Sequence, residues 1–254
     1  MMADMASSFR YLVRRILRKV PGPIRHRKLY LPFVSGKFGL EIGGPSDVFR
    51  RRNPVDIYRR IGGLDNCNFS SSTIWADQDD KFYFTPEKSP GKSMFREGSD
   101  LANIPDNSYD FVLSSHNLEH MANPVKALRE WKRVLRPEGA LIVVLPYYKK
   151  TFDHRREPTR VDHILEDFER NIGEDDLTHL PEILEKHDLS MDLAAGTLDE
   201  FHKRSLDNIS NRCLHHHVFD EKNSSELLRR SGYEVRAVEL AEPNHICLLA
   251  VPSA

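Results

Sequence analysis

Gly39-Leu40-Glu41-Ile42-Gly43-Gly44-Pro45-Ser46 decides the reading of this chain. Phe38 to Ile42 has the apolar character of a short buried strand, broken by the carboxylate of Glu41. Gly43 and Gly44 then turn the chain, and Pro45-Ser46 is suited to open a helix. A strand, a glycine turn and a helix start let backbone approach a nucleotide-like ligand closely, with N–H groups facing it. Many ordinary strand ends carry Gly-Gly as well, so the assignment rests on the residues downstream.

Working outward, a second short strand is expected near Ile61 to Leu64, ending at Asp65, 22 positions beyond Gly43 (65 − 43). In nucleotide-binding βαβ units an acidic residue about 20 positions on accepts the ribose hydroxyls. The charged stretch 47–60 contains Asn53-Pro54 and predicts a short first helix. Residues 66–94 are polar and irregular, with Trp75 and Tyr83 as expected anchors. Asp106-Asn107-Ser108 is a turn, and Tyr109 to Ser114 a buried strand. Ser115-His116-Asn117-Leu118-Glu119-His120 comes next at the strand end, the edge where open α/β sheets bind ligands.

Asn123-Pro124 is an N-cap followed by a first-turn proline, and Val125, Leu128, Trp131, Val134 and Leu135 give that helix its buried stripe. Arg136-Pro137-Glu138-Gly139 ends it, and Ala140 to Leu145 is a continuous apolar run of the kind buried parallel strands need. From Lys149 to about Leu214 the chain is rich in Asp, Glu and His, with helical periodicity near 161–171 and 181–186. That is too long for a loop and predicts a helical insertion over about 150–217. A helix after Val218-Phe219-Asp220 and strands over Tyr233–Leu240 and His245–Val251 close the chain.

Composition bounds the function. The 254 residues carry 39% apolar and 30% charged side chains with a formal charge of −1, so no nucleic-acid partner is expected. Cys67, Cys213 and Cys247 form no CxxC, which fits a reducing compartment and neither a disulfide framework nor a thiolate zinc site. No apolar run approaches the roughly 20 residues that span a bilayer. A cytoplasmic protein is the expectation. Residues 9–20 form an amphipathic pattern, with Leu12, Val13, Ile16, Leu17 and Val20 opposite Arg14, Arg15, Arg18 and Lys19. Such a helix can hold a membrane surface or a partner; a leading helix packed on the fold is the favoured alternative. The plan is then a basic helix and lead-in over 1–37 and one domain over 38–254.

Taken in order, Glu41-Ile42-Gly43-Gly44, Asp65, Asp100-Leu101, Ile104 to Asp110, Leu118-Glu119-His120 with Asn123-Pro124, and Arg133 to Gly139 resemble the class I S-adenosylmethionine-dependent methyltransferases. The likeness is to their small-molecule O-methyltransferase-like branch. It covers about residues 38–148 and returns for 218–254. Thr151-Phe152-Asp153 with His163 and Asp167, then His215-His216-His217-Val218-Phe219, is similar to methyltransferases grouped with cell-surface glycan assembly.

The resemblance implies an α/β fold: a Rossmann-like seven-stranded sheet, mostly parallel with the last strand antiparallel, and helices on both faces. It implies S-adenosylmethionine as cofactor. Glu41, Gly43 and Gly44 would hold its amino-acid end, Asp65 the ribose and Asp100 the adenine amino group, with Leu101 and Ser115 completing the set. The usual third glycine is replaced by Pro45 or Ser46, and the long stretch 66–94 lets Glu97 compete with Asp100. The implied acceptor is a polar small molecule or glycan, methylated at a hydroxyl oxygen. The alternative is a catalytically inactive module of a membrane-surface or glycan assembly. A nicotinamide dehydrogenase would share the glycine turn and Asp65 but not the downstream motifs.

Methyl transfer to a hydroxyl needs a base with a pKa near neutrality, which points to histidine. His116 is the first candidate and His120 the second, although Leu118-Glu119-His120 can equally serve to fix the loop. His116-x-x-Glu119-His120 also resembles the arrangement that some O-methyltransferases use for a divalent ion, with His215, His216 or His217 as a further ligand. A metal is allowed by the pattern and not favoured, because solvated acidic helices account for most of the Asp and His in 151–217.

Overall fold

The apolar runs become strands of one sheet because their residues alternate between two covered faces. The computed structural model describes residues 23–73, 77 and 79–253; the basic stretch 9–20 and Trp75 lie outside them. The strands are β1 (Phe38–Ile42), β2 (Gly63–Asn68), β3 (Lys81–Phe82), β4 (Gly91–Phe95), β5 (Tyr109–Ser115), β6 (Leu135–Pro146), β7 (Tyr233–Ala241) and β8 (His245–Pro252). Their order in the sheet is β3-β4-β2-β1-β5-β6-β8-β7. From β4 to β6 neighbouring strands run parallel, and β8 lies antiparallel between β6 and β7. The expected antiparallel last strand is present. One strand is added to the expected seven: β3 pairs antiparallel with the edge strand β4 through Lys81↔Lys92 and Phe82↔Gly91.

Leu141, Val143 and Leu145 of β6 face one core, and Ala140, Ile142 and Val144 face the other. β8 alternates likewise, with Ile246, Leu248 and Ala250 opposite Cys247 and Leu249. Helices α2 (Pro124–Val134), α3 (Val161–Glu169) and α7 (Glu221–Arg230) contribute to the first core, and α1 (Arg27–Val34) to the second. The start signals for α2 hold: Asn123 accepts from the Lys126 N–H at 3.0 Å, Pro124 opens the helix, and Val125, Leu128, Trp131 and Val134 are buried along it. Its expected end does not: the helix stops at Val134, and Leu135 to Gly139 already belong to β6. Trp131 Nε1 donates to the Gly98 carbonyl at 2.8 Å, which ties this helix to the loop after β4.

Three local expectations are corrected. The second strand does not end at Asp65 but runs to Asn68, so Asp65 lies inside it, in register with Leu40. No α-helix follows the glycine turn: the described chain makes only 3-10 turns at Asp47–Phe49 and Tyr58–Arg60 before β2. Tyr83 is no anchor. Its side chain is exposed while its neighbours Phe82 and Phe84 are buried. The segment after β6 is helical, with α3, α4 (Leu180–Lys186), α5 (Leu198–Leu206) and α6 (Asn208–Asn211). Leu180, Ile183, Ala195, Phe201 and Leu214 give it a small core of its own. None of the described helices is long and apolar enough to cross a membrane.

Candidate active site

The reversal of strand order between β1 and β5 opens a crevice at the C-terminal ends of the parallel strands. It is a cavity of about 1790 Å³ walled by the glycine turn, the end of β2, the loops after β4 and β5, and side chains of the helical segment. That segment therefore stands over the strand ends, contributing Phe152, Asp153, His187, Leu214 and His215 to the wall.

The glycine turn is shaped by what a side chain there would hit. Gly43 has φ +80°, and a Cβ on it would meet Asn117 Nδ2 at 2.6 Å. A Cβ on Gly44 would meet the Glu41 carboxyl carbon at 2.3 Å. Glu41 supports the turn from beneath: one oxygen accepts from Ser46 N–H (3.1 Å) and Oγ (2.7 Å), the other from Tyr58 OH (2.7 Å). Burial lifts its carboxyl to about 7, against the lowering effect of those hydrogen bonds. On the opposite side Gly98 is hemmed by Met121 and Ile42, which a Cβ would meet at 2.7 and 2.8 Å. Side-chain-free backbone at Gly43 and Gly98 in one cavity is the cradle that a nucleoside-bearing cofactor requires, so these residues fit S-adenosylmethionine.

Other expected cofactor residues are placed differently. Asp65 does not line the cavity; its carboxylate accepts from Lys92 N–H at 2.8 Å and Tyr109 OH at 3.1 Å within the sheet. Asn68, at the true end of β2, lines the cavity instead and donates to the Gly44 carbonyl at 3.4 Å. Asp100 opens to an outer groove with Arg129 and Arg133, and Leu101 is fully buried with its N–H on Glu130. Glu97, the competing acid, lines the cavity and pairs with Arg212. Ser115 lines it too.

The histidines gather at the other wall. His116, in a left-handed conformation at φ +49°, places Nε2 2.8 Å from Nδ1 of His245. Burial and the two neighbouring imidazoles, His245 and His215, push its pKa down to about 3, so the ring is neutral. No local pattern singles out His245 in the sequence; the Pro146↔His245 register of β6 and β8 brings it here. His120 Nδ1 donates to the Leu214 carbonyl at 3.1 Å, and its ring stands edge-on to His215 with centroids 4.5 Å apart. Burial and His215 lower its pKa well below the usual value.

His215 is built differently. Its Nδ1 donates to Asp153 at 2.6 Å, which leaves Nε2 as the basic nitrogen. Burial acts to lower its pKa, and the Asp153 carboxylate outweighs that and raises it. Asp153 is itself buried, which opposes its charge, yet His215 and Arg156 hold it down at about 2. Arg156, only 2% exposed, donates to Asp153 at 3.1 Å and to the carbonyls of His215 (2.8 Å) and His216 (3.2 Å). The arrangement is a carboxylate-oriented imidazole of raised basicity, locked from behind by a guanidinium.

Beside it Glu119 is fully buried with no hydrogen-bond partner for either carboxylate oxygen among the described residues, and burial raises it to about 7. Ligand atoms of Glu119, His120 and His215 lie within 4.8 Å of one another, so this trio could hold a divalent ion. With no ion bound, a raised Glu119 costs stability as pH rises from its ordinary 4.5 through about 7, where the folded state must ionise it. Glu119→Gln is therefore expected to leave the metal-free protein about 2–3 kcal/mol more stable than wild type at pH 8, with the difference vanishing below pH 4.5. Denaturant titrations in chelator at the two pH values measure it.

Comparisons with known proteins agree with this architecture. A family profile described as "Methyltransferase domain" matches residues 84–143. Comparison with curated protein sequences gave no match. Among solved structures, an S-adenosylmethionine-dependent methyltransferase from Mesorhizobium loti superposes with a TM-score of 0.51 at 16% identity, covering 89% of this chain and 95% of its own. One described as putative from Listeria monocytogenes gives 0.49 at 16% identity, over 90% and 96% of the two chains. One from Aquifex aeolicus gives 0.48 at 13%, over 90% of each. With its strand order, its antiparallel β8 and its glycine turn, the chain has the fold of the class I S-adenosylmethionine-dependent methyltransferases.

Proposed function

We propose that this protein binds S-adenosylmethionine at the glycine turn and methylates a hydroxyl of a polar small molecule or glycan. The observation that carries the reading is the His215–Asp153 pair lining the same cavity as Gly43 and Gly44. Gly43, Gly44, Asn68 and Ser115 would hold the cofactor, with the Glu97 carboxylate on the wall. S-adenosylmethionine supplies an electrophilic methyl group and leaves as a neutral thioether. His215 takes the acceptor's proton at Nε2 while Asp153 stabilises the imidazolium that forms. His120, edge-on to His215, fixes that ring's plane. His116, neutral and bound to His245, borders the acceptor as a hydrogen-bonding wall. The segment over 150–217 adds polar side chains (Ser190, Asp192 and Arg204) and apolar ones (Phe152, Met191, Leu193 and Phe201) to the cavity, a mixed wall that suits an acceptor carrying both hydroxyls and an apolar face.

Calorimetry with S-adenosylmethionine and its demethylated product tests the cofactor, with a nicotinamide dinucleotide as control. Saturable binding of both sulfur ligands is expected, and binding of the dinucleotide alone would overturn the reading. Transfer of a labelled methyl to a panel of hydroxylated sugars then tests the activity; binding with no transfer to any of them favours the inactive binding module. A second mechanistic reading rests on the Glu119 carboxylate beside His120 and His215, which has no hydrogen-bond partner among the described residues and suits a divalent ion that would lower the pKa of the acceptor hydroxyl. Transfer abolished by chelator and restored by the metal would select it over the free-base route.

A further inference from the structure

A second histidine cluster lies in the helical segment, formed by residues other than those of the active-site trio. His163 and Asp167 sit one turn apart on α3, and His179 is the residue immediately before α4. His163 Nε2 lies 2.8 Å from His179 Nε2, and 3.5 Å from Asp167 Oδ2. His179 Nδ1 faces Asp176 Oδ2 at 3.5 Å, and that carboxylate also accepts from Thr178 N–H and Oγ1. An Nδ1–H aimed at Asp176 leaves Nε2 of His179 as its lone-pair nitrogen, pointed at His163. Asp167 is 4% exposed, yet its Oδ2 has no hydrogen-bond partner among the described residues. His217, fully buried, closes the far side with its Nε2 donating to the Ala122 carbonyl at 3.3 Å and its Nδ1 without a hydrogen-bond partner among the described residues.

We propose that His163, Asp167 and His179 bind a transition-metal ion of the zinc class, separate from the active-site cavity, which clamps the helical segment. Ligand atoms of the three lie within 4.8 Å of one another. Nitrogens bound to one zinc at the usual length stand about 3–3.4 Å apart, so the 2.8 Å pair needs only a slight opening of the two rings. Two imidazoles and one carboxylate disfavour calcium and magnesium, which take oxygen shells. Asp176 supplies the outer carboxylate that fixes a ligating histidine's tautomer. The His163 side chain is 42% exposed, so the ion has a way in from solvent and a water can complete the shell. Asp176, His179 and His216 form an overlapping trio, but Asn208 already occupies His216 Nε2 at 3.2 Å. The ion would join α3 to the loop leading into α4, holding in place the segment that walls the active-site cavity.

The test uses the full chain, stripped with chelator and titrated with Zn²⁺ and with Co²⁺. Thermal unfolding, bound metal per chain and the Co²⁺ absorption bands are monitored, with no methyl transfer needed. Wild type should bind an equivalent that raises its unfolding temperature. His163→Ala, at a half-exposed position that tolerates truncation, should weaken that binding more than 100-fold, beyond the roughly 10–100-fold that loss of an outer partner costs. Asp167→Asn should act in the same direction, and Asp176→Asn should weaken binding by about 10–100-fold. His215→Ala should leave this equivalent in place, which separates it from any ion at the active-site trio. Retention of the same equivalent in both His163→Ala and Asp167→Asn would overturn the proposal. So would a folded wild type that binds no Zn²⁺ at micromolar concentration, since the pair is then a histidine–histidine hydrogen bond only.

Discussion

Replacing His215 with alanine is expected to lower methyl-transfer turnover by roughly 10²–10⁴ while cofactor affinity stays nearly unchanged, because a general base acts on the acceptor and not on the cofactor. The size reflects how the residue is held. Of the histidines lining the cavity, His116 and His120 are pushed down by burial, whereas the carboxylate of Asp153 raises His215. Asp153→Asn provides a second, signed check. On the proposed route turnover requires neutral His215, so the acid limb of the rate profile should track its pKa; without the carboxylate that pKa falls and the limb should move to lower pH. His116→Ala is the control that distinguishes the two histidines. If its loss matches that of His215→Ala while the pH limb stays put in Asp153→Asn, the base is His116.

Replacing Arg156 with methionine is expected to destabilise the protein by about 3–5 kcal/mol, the usual cost of leaving one buried charge without its partner. Arg156 and Asp153 are both almost wholly inaccessible, and the guanidinium also satisfies the carbonyls of His215 and His216. Removing it strands one carboxylate oxygen and two backbone acceptors together. Urea unfolding at neutral pH measures the loss, and a change below about 1 kcal/mol would mean that solvent reaches the pair. The pH dependence is signed as well. Wild-type Asp153 is held at about 2, below its ordinary 3.8, so its contribution is present above about 4 and lost as pH falls toward 2. In the methionine variant that acid loss should begin at higher pH.

Local pattern was enough wherever local pattern causes structure. The alternation in β6 and β8 and the Asn123-Pro124 cap were legible because each depends on neighbours in sequence. The end of β2 was not. Asp65 and Asn66 look like the close of a strand, yet they continue it, because Lys92, Tyr109 and Gly44 satisfy their side chains from 22 to 44 residues away. Glu97 and Asp100 are equally acidic in sequence; only the Trp131–Gly98 hydrogen bond and the path of the loop decide which faces the cavity. The same holds for the base. A run of three histidines at 215–217 offers no hint of which one meets Asp153, whose distance along the chain is 62 residues.

His245 belongs to β8, and it meets His116 across 129 residues of sequence. The glycine turn can be made early in synthesis, but the wall opposite it waits for β8 to insert between β6 and β7. A nascent chain still tethered to the ribosome within that strand has a half-built cavity and an open sheet edge along β6, the kind of intermediate that aggregates. Tight coupling of an early element to a late one makes the pocket a reporter of a finished sheet. Truncations or insertions that disturb β8 would open the cavity from the strand farthest in sequence from the glycine turn.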